Sequence, residues 1–167
     1  VYPTLWSYWG RQVFNWDSLT IGLTLACYGI LVAVVQAGVL PQLTRRLGDY
    51  RTLLIAVGAA VVGFIGFGTS ATLWAVVIFM PVAALSDMAP PLMTAFASNR
   101  VGEDQQGLVQ GIIASLASVA AVAAPLALTG VFNQFVTDGP MYVPGAPFLL
   151  AGVLVIAILP LIWRLKS

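Results

Sequence analysis

The chain has 167 residues, 60% of them hydrophobic and 8% charged, with a mean hydropathy of +0.96 and a net charge of +1. Soluble domains carry about a quarter charged residues, so this composition excludes a water-soluble fold and leaves room for about five or six membrane spans of roughly 20 residues each. The cations stand at the ends of apolar runs and form no continuous basic surface, which sets nucleic-acid binding aside. With no histidine and Cys27 as the single cysteine, the familiar Ser-His-Asp and His-metal constellations, Cys-based metal motifs and any intrachain disulfide are excluded. No enzymatic activity, cofactor or metal is expected, and Cys27 reads as a small apolar packer.

Residues 1–18 contain Trp6, Tyr8, Trp9 and Trp16, a density of aromatic rings suited to the headgroup region, and read as the outer end of a preceding helix with an external loop. Residues 19–41 make the first full span, closed by Pro41, and 42–51 a basic loop that holds Arg45, Arg46 and Arg51. A second span covers 52–68, and Thr69 to Thr72 forms a polar turn. The third, 73–96, contains Pro81, Asp87, Pro90 and Pro91. A polar loop, 97–106, precedes a fourth span rich in Ala, Gly and Ser at 107–132. Residues 133–145 form an external Pro/Gly loop with Asp138 and Tyr142, 146–163 the fifth span, and 164–167 a tail.

Six of the seven cations, in the clusters Arg45/Arg46/Arg51, Arg100 and Arg164/Lys166, fall on one side of this topology, and Arg11 alone on the other. The positive-inside rule makes the six-cation side cytoplasmic, with the C-terminus inside. Val1 then starts outside with an odd number of spans behind it, so the chain is expected to be the C-terminal piece of a longer polytopic protein. That fold class is all-α integral membrane, embedded in a lipid bilayer.

Asp87 is the one ionisable residue deep in an apolar run, about 14 residues or roughly 21 Å from the outer end of its span. A carboxylate at that depth costs on the order of 3 kcal/mol unless it faces a watery cavity, finds a partner or takes up a proton. The last escape is what a proton-coupled carrier requires; alternatively the span ends at the double proline and Asp87 lies in the headgroup zone. Pro90 and Pro91 donate no N–H, so the carbonyls of Ser86 and Asp87 lose their helical partners and a polar notch opens beside the carboxylate. Helix projection puts Met80, Ala83, Asp87, Pro91 and Thr94 within about 40° of their mean direction, a candidate cavity wall, although for Met80 taken alone packing is the safer reading.

In the first span Thr20, Thr24 and Tyr28 follow an i, i+4 ridge suited to a lumen. Gln36 points well away from it, either lining a cavity or tying two helices together. In the fourth span Gly107, Gly111, Ser115, Ser118 and Pro125 share a face that permits close helix contact, and Gln110 is its polar group best placed for a substrate.

The segment Pro41-Gln42-Leu43-Thr44-Arg45-Arg46-Leu47-Gly48-Asp49-Tyr50-Arg51 resembles the cytoplasmic gate loop between paired helices of the major facilitator superfamily, with Arg46 and Gly48 on the pattern and Pro41 and Arg45 off it. Asn15-Trp16-Asp17-Ser18 with Ile21-Gly22-Leu23, Gly29-Ile30-Leu31 and Gln36-Ala37 is similar to the start of the eighth helix of that superfamily's tetracycline exporters. Gln105-Gln106-Gly107-Leu108-Val109-Gln110-Gly111, with Ser115-Leu116 and Pro125-Leu126, is similar to their eleventh helix. Pro144-Gly145-Ala146-Pro147-Phe148 resembles the start of the twelfth in close relatives. The resemblance implies helices eight to twelve of a twelve-helix bundle, a bacterial cytoplasmic membrane, and export of a small hydrophobic drug against protons by alternating access around a midplane site. It also implies an N-terminal half as partner. Those exporters carry a carboxylate in the ninth helix and commonly a histidine in the eighth, where this chain has Ala60 and Val32. The proton role therefore passes to Asp87 or to the absent half.

These readings make Asp87 the candidate proton-coupling residue, and Thr24, Tyr28, Gln36, Met80, Thr94 and Gln110 the candidate cavity. Arg45, Arg46, Gly48, Asp49 and Arg51 are the candidate gate. Two other functions compete: uptake of a small nutrient, and a non-transporting membrane protein whose small-residue helices bind a partner. Intramembrane proteolysis needs paired aspartates or a Ser with a base, and the spans offer Asp87 alone.

Overall fold

The computed structural model describes residues 2–69, 72–136, 143 and 145–164. An apolar chain in hydrocarbon has no water to satisfy its peptide groups, so every hydrogen bond must be made within the segment, which selects helices. Among the described residues eight follow in chain order: α1 (Tyr2–Phe14), α2 (Ser18–Val34), α3 (Leu40–Leu47), α4 (Asp49–Thr69), α5 (Leu73–Ser86), α6 (Ala89–Ser98), α7 (Gln106–Val136) and α8 (Ala146–Trp163). A π-helical segment, Val35–Val39, joins α2 to α3, and a short 3₁₀ turn, Glu103–Gln105, leads into α7. Among the described residues, five stretches are long and apolar enough to cross a membrane: Ser18–Leu47, Asp49–Thr69, Leu73–Ser98, Glu103–Val131 and Ala146–Trp163. Two of these are interrupted helices, α2–α3 by the π segment and α5–α6 by a turn at Asp87 and Met88.

Helix starts follow local chemistry. The Asp17 carboxylate accepts from the Thr20 amide at 2.9 Å and caps α2, and Thr72 Oγ1 accepts from the Ala75 amide at 3.3 Å to cap α5. Asn15, with φ 52°, turns the chain between α1 and α2.

Pro41 does not end the first span. The helix runs on to Leu47 because the preceding turn is widened: the Leu40 amide donates to the Val35 carbonyl five residues back, and an expanded turn accommodates a ring that would collide with a regular one. The basic loop expected over 42–51 is accordingly two helix ends meeting at Gly48, whose φ of 80° and ψ of 164° turn the corner in one residue. Gly48 donates its N–H to the Thr44 carbonyl at 2.9 Å, and its own carbonyl accepts from the Thr52 amide at 3.1 Å and hydroxyl at 2.8 Å. The fourth helix extends past its expected end at 132 to Val136, whereas most of the external loop expected over 133–145, with Asp138 and Tyr142, lies outside the described residues, as does the tail beyond Arg164.

α4 is the central strut, packed between α5 and α8. A glycine pair sets the second of those distances: Gly145 lies against the backbone of Gly68. Two apolar clusters result. One gathers Trp6, Trp9, Ile21, Phe67, Val76, Met80, Leu128 and Phe148; the other gathers Val35, Leu53, Val57, Met88, Leu92 and Ile162. Trp6 and Trp9 are therefore core residues rather than headgroup anchors. Trp9 is 1% exposed, meeting Phe14, Phe67 and Phe148 edge-on at centroid distances of 5.1, 6.0 and 5.5 Å. Trp74, by contrast, is 76% exposed at the start of α5.

Among the described residues, Gly107 and Gly111 on the small-residue face of α7 make no close helix contact. A Cβ at Gly107 or Gly111 would meet nothing within 4 Å, and Ser115 and Ser118 donate back to the Gly111 and Ala114 carbonyls of their own helix, at 2.8 Å each. α7 is largely exposed along its length.

Candidate functional site: a carboxylate at a helix break

Asp87 stands where α5 stops. Its amide donates to the Ala84 carbonyl at 3.2 Å and the Met88 amide to Leu85 at 3.3 Å, a tightened turn that ends the α-helical ladder. Helix α6 restarts at Ala89 with Pro90 and Pro91 in its first turn, where missing N–H groups do no harm. The sequence explains the break: regular helix would require Pro90 and Pro91 to donate to Ser86 and Asp87, and neither can.

The main-chain carbonyl of Asp87 freed by the break and its side-chain carboxylate both face the first span. The Tyr28 hydroxyl donates to Asp87 Oδ2 at 2.6 Å, and Gln36 Nε2 donates to the Asp87 main-chain carbonyl at 3.3 Å. The orphaned carbonyl thus finds a side-chain donor in the π segment, and the carboxylate a phenol in α2. Serine 86 turns inward on its own helix, donating to the Ala83 carbonyl at 2.6 Å.

Tyr28 and Gln36, about 80° apart on a regular helix, reach one residue because they address different atoms of it. The broken helix presents carboxylate and carbonyl to the same neighbour. Gln36 ties two helices together, the second of the alternatives weighed for it. The π segment had no signature in residue types, although Pro41 so soon after a buried-helix pattern was a cue.

Around this polar contact the surroundings are apolar. Trp6, Leu25, Tyr28, Phe67 and Met80 enclose a small pocket on the side of the aromatic cluster. Between α2 and α5 runs an open groove of about 360 Å³, lined by Leu23, Thr24, Cys27, Leu31, Val76, Val77, Met80 and Pro81. Thr24 joins groove to cluster: its hydroxyl accepts from Trp6 Nε1 at 2.9 Å and donates to the Ile21 carbonyl at 2.9 Å. Trp6 is the residue that sequence reasoning placed in the wrong environment, since aromatic richness alone does not distinguish a headgroup belt from a core.

The other candidates stand apart. Met80 is 8% exposed and lines both pocket and groove. Thr94 donates to the Pro90 carbonyl at 3.0 Å, on its own helix. Gln110 is exposed on α7, a helix that does not line the groove. Arg45 and Arg46 occupy the last turn of α3 and, with Gln42, line a surface hollow; Asp49 opens α4 and Arg51 is exposed in its first turn. Cations at a helix C-terminus and an acid at an N-terminus both complement the helix dipoles. Outside the spans, hydrogen bonds from the Thr20 side chain and amide hold the Asp17 carboxyl below the usual carboxylate range.

The family model of the Major Facilitator Superfamily matches residues 1–164. The chain is 32% identical over 160 residues to the tetracycline resistance protein, class G, of Vibrio anguillarum, covering 96% of this chain and 40% of that protein. It is 30% identical over 148 residues to the class C protein of Escherichia coli, covering 87% and 37%. It is 29% identical over 161 residues to the hippocampus abundant transcript-like protein 1 of Homo sapiens, covering 87% and 32%. No solved structure matches. The chain spans between 32% and 40% of the length of these three curated relatives. Its helical bundle, apolar spans and match along nearly its whole length together show that this chain is a multi-pass membrane protein of the Major Facilitator Superfamily.

Proposed function

We propose that the chain forms the C-terminal part of a proton-coupled exporter of a small hydrophobic drug, working by alternating access from a bacterial cytoplasmic membrane with its C-terminus inside. The observation that carries this reading is Asp87, a carboxylate within a membrane span, held by Tyr28 beside an apolar groove. An intramembrane ionisable group with a named partner is the usual mark of a proton or ion relay. The printed names of the class G and class C relatives supply the drug as substrate class. Ala60 and Val32 stand where tetracycline exporters carry a carboxylate and a histidine, which leaves Asp87 as this part's proton carrier. Thr24 and Met80 contribute the groove wall, and Arg45, Arg46, Gly48, Asp49 and Arg51 form the gate on the cytoplasmic side, where Arg100 and Arg164 also lie.

The test is drug-driven proton movement in inverted vesicles containing the full-length transporter, compared with Asp87→Asn. Asp87→Asn, inserted at parental level, is expected to lose coupled transport at least about tenfold, the scale of removing one charge-assisted interaction. Undiminished coupled transport removes Asp87 from the mechanism, and accumulation driven in the opposite direction makes the protein an uptake carrier.

A further inference from the structure

We propose that the hollow lined by Gln42, Arg45 and Arg46 at the end of α3 binds the phosphodiester headgroup of an anionic membrane lipid. The spacing i, i+3, i+4 puts these three side chains on one face of α3. Leu40 and Leu43 pack against the second apolar cluster, and helix projection sets their mean direction about 140° from that of the three polar residues. Packing of the leucines therefore turns the cations outward. The hollow measures about 200 Å³, the share of six or seven liquid waters at roughly 30 Å³ each, enough for a phosphate with its ester oxygens.

The hollow lacks an anion of its own. Arg45 and Arg46 are exposed, and no carboxylate among the described residues pairs with either; Asp49, the nearest acid in the chain, opens α4 beyond the Gly48 corner. The C-terminus of α3 carries roughly half a negative charge, which two guanidiniums outweigh, so the hollow is net positive by about 1.5 charges. Each guanidinium presents its N–H groups as a fixed fork that fits two phosphate oxygens, and the Gln42 amide adds a further donor.

Depth and surroundings make the ligand a lipid. The Ser18–Leu47 span has 30 residues, about 45 Å of helix against a hydrocarbon core of roughly 30 Å, so its last turn lies at headgroup level. Toward the bilayer interior the surface turns apolar and open. Gly38 stands about one turn beneath Gln42, where a Cβ would meet nothing within 4 Å, and Val34, a further turn in, is 58% exposed. A cationic hollow above an apolar strip matches a molecule with phosphate at one end and hydrocarbon at the other. A soluble anion, or a carboxylate from elsewhere in the protein, would use the hollow alone. A zwitterionic headgroup would bring its ammonium beside two guanidiniums, and that repulsion selects the anionic class.

Native mass spectrometry of the full-length protein in detergent, titrated with dioleoylphosphatidylglycerol or dioleoylphosphatidylcholine, measures the affinity for each lipid. A cation at the membrane surface is worth about fivefold toward an anionic lipid, and two together about 25-fold. The parent is expected to prefer phosphatidylglycerol by about that factor, and the double variant Arg45→Gln/Arg46→Gln to lose the preference. Each single variant is expected to lose about fivefold, which decides the matter should the double variant fail to fold. Arg51→Gln removes a nearby charge outside the hollow and is expected to keep the preference within about twofold. A parent without preference overturns the proposal, as it would if a carboxylate from elsewhere in the protein filled the hollow. Equal loss in Arg51→Gln also overturns it, since diffuse surface charge would then be the cause. Full displacement of the lipid by glycerol 3-phosphate at equal concentration overturns it too, because the hollow would then serve a soluble phosphate. Lipid binding is read without transport, so the outcome is separate from any role of these residues in a gate.

Discussion

Replacing Gly145 by alanine tests the claim that α4 and α8 are held together by backbone contact at their outer ends. Gly145 has φ −86° and ψ −3°, a conformation alanine adopts freely, so the substitution acts through space alone. A Cβ there would collide with the Gly68 carbonyl oxygen and lie 2.6 Å from its carbon and 2.7 Å from its Cα. Ordinary contact begins at 3.4 Å, so the start of α8 must retreat by about 0.8 Å, the difference between 3.4 and 2.6 Å. The obstacle is main chain and cannot rotate aside. Phe148 would move with it, drawing its ring from Trp9 at 5.5 Å and Phe67 at 5.8 Å. Overpacking costs about 1–3 kcal/mol and a weakened aromatic pair about 0.5–1.5 kcal/mol, giving a loss of about 3 kcal/mol. That is about a hundredfold in the folded-to-unfolded ratio. Unfolding of the full-length protein in detergent by graded SDS, followed by tryptophan emission, measures it. The matched control is Gly58→Ala, inside α4 with nothing within 4 Å, expected to be neutral or to gain up to about 1 kcal/mol from helix propensity. Equal midpoints for the two variants would refute the close-approach argument.

Gly48→Ala should lower the unfolding midpoint by about 1–3 kcal/mol through backbone strain alone, because φ 80° with ψ 164° is accessible essentially to glycine and the space around it is open. Asparagine, which tolerates the left-handed helical region but not this one, should not rescue it. Asp17→Ala should fray the start of α2, seen as faster amide exchange at Thr20 and Ile21. Since folding depresses this carboxyl below its ordinary value of 3.8, the cap contributes above that value and is lost as pH falls through the depressed one; Asp17→Asn keeps the acceptor and abolishes that pH dependence.

The candidate site was legible in part, and the boundary is instructive. Asp87 stood out because a charge is expensive in an apolar run, and the notch beside it because two prolines cannot donate; both arguments need only local chemistry. Gln36 settling on the Asp87 carbonyl followed from the same deficit, but which helix would supply the donor depended on packing. Tyr28 was grouped with Thr20 and Thr24 by periodicity, whereas the three diverge: Thr24 bonds Trp6, and Tyr28 bonds Asp87. Gln110 and Thr94 were polar residues at plausible depths that the fold does not bring to Asp87. Periodicity places a residue on a face of its own helix but says nothing about what that face meets.

The sequence by itself determined the all-helical membrane architecture, the five spans and the polar notch before Pro90 and Pro91, because desolvation of peptide groups and the absence of a proline N–H act residue by residue, and its motifs carried the resemblance to the family. Tertiary structure decided three things. It buried Trp6 and Trp9 against Phe67 and Phe148 rather than leaving them at an interface. It carried the first span through Pro41 by widening one turn. It also joined Tyr28 to a carboxylate 59 residues away. Each depends on the separation and rotation of whole helices, set in part by where glycines such as Gly145 let backbones approach, and no local pattern encodes that sum.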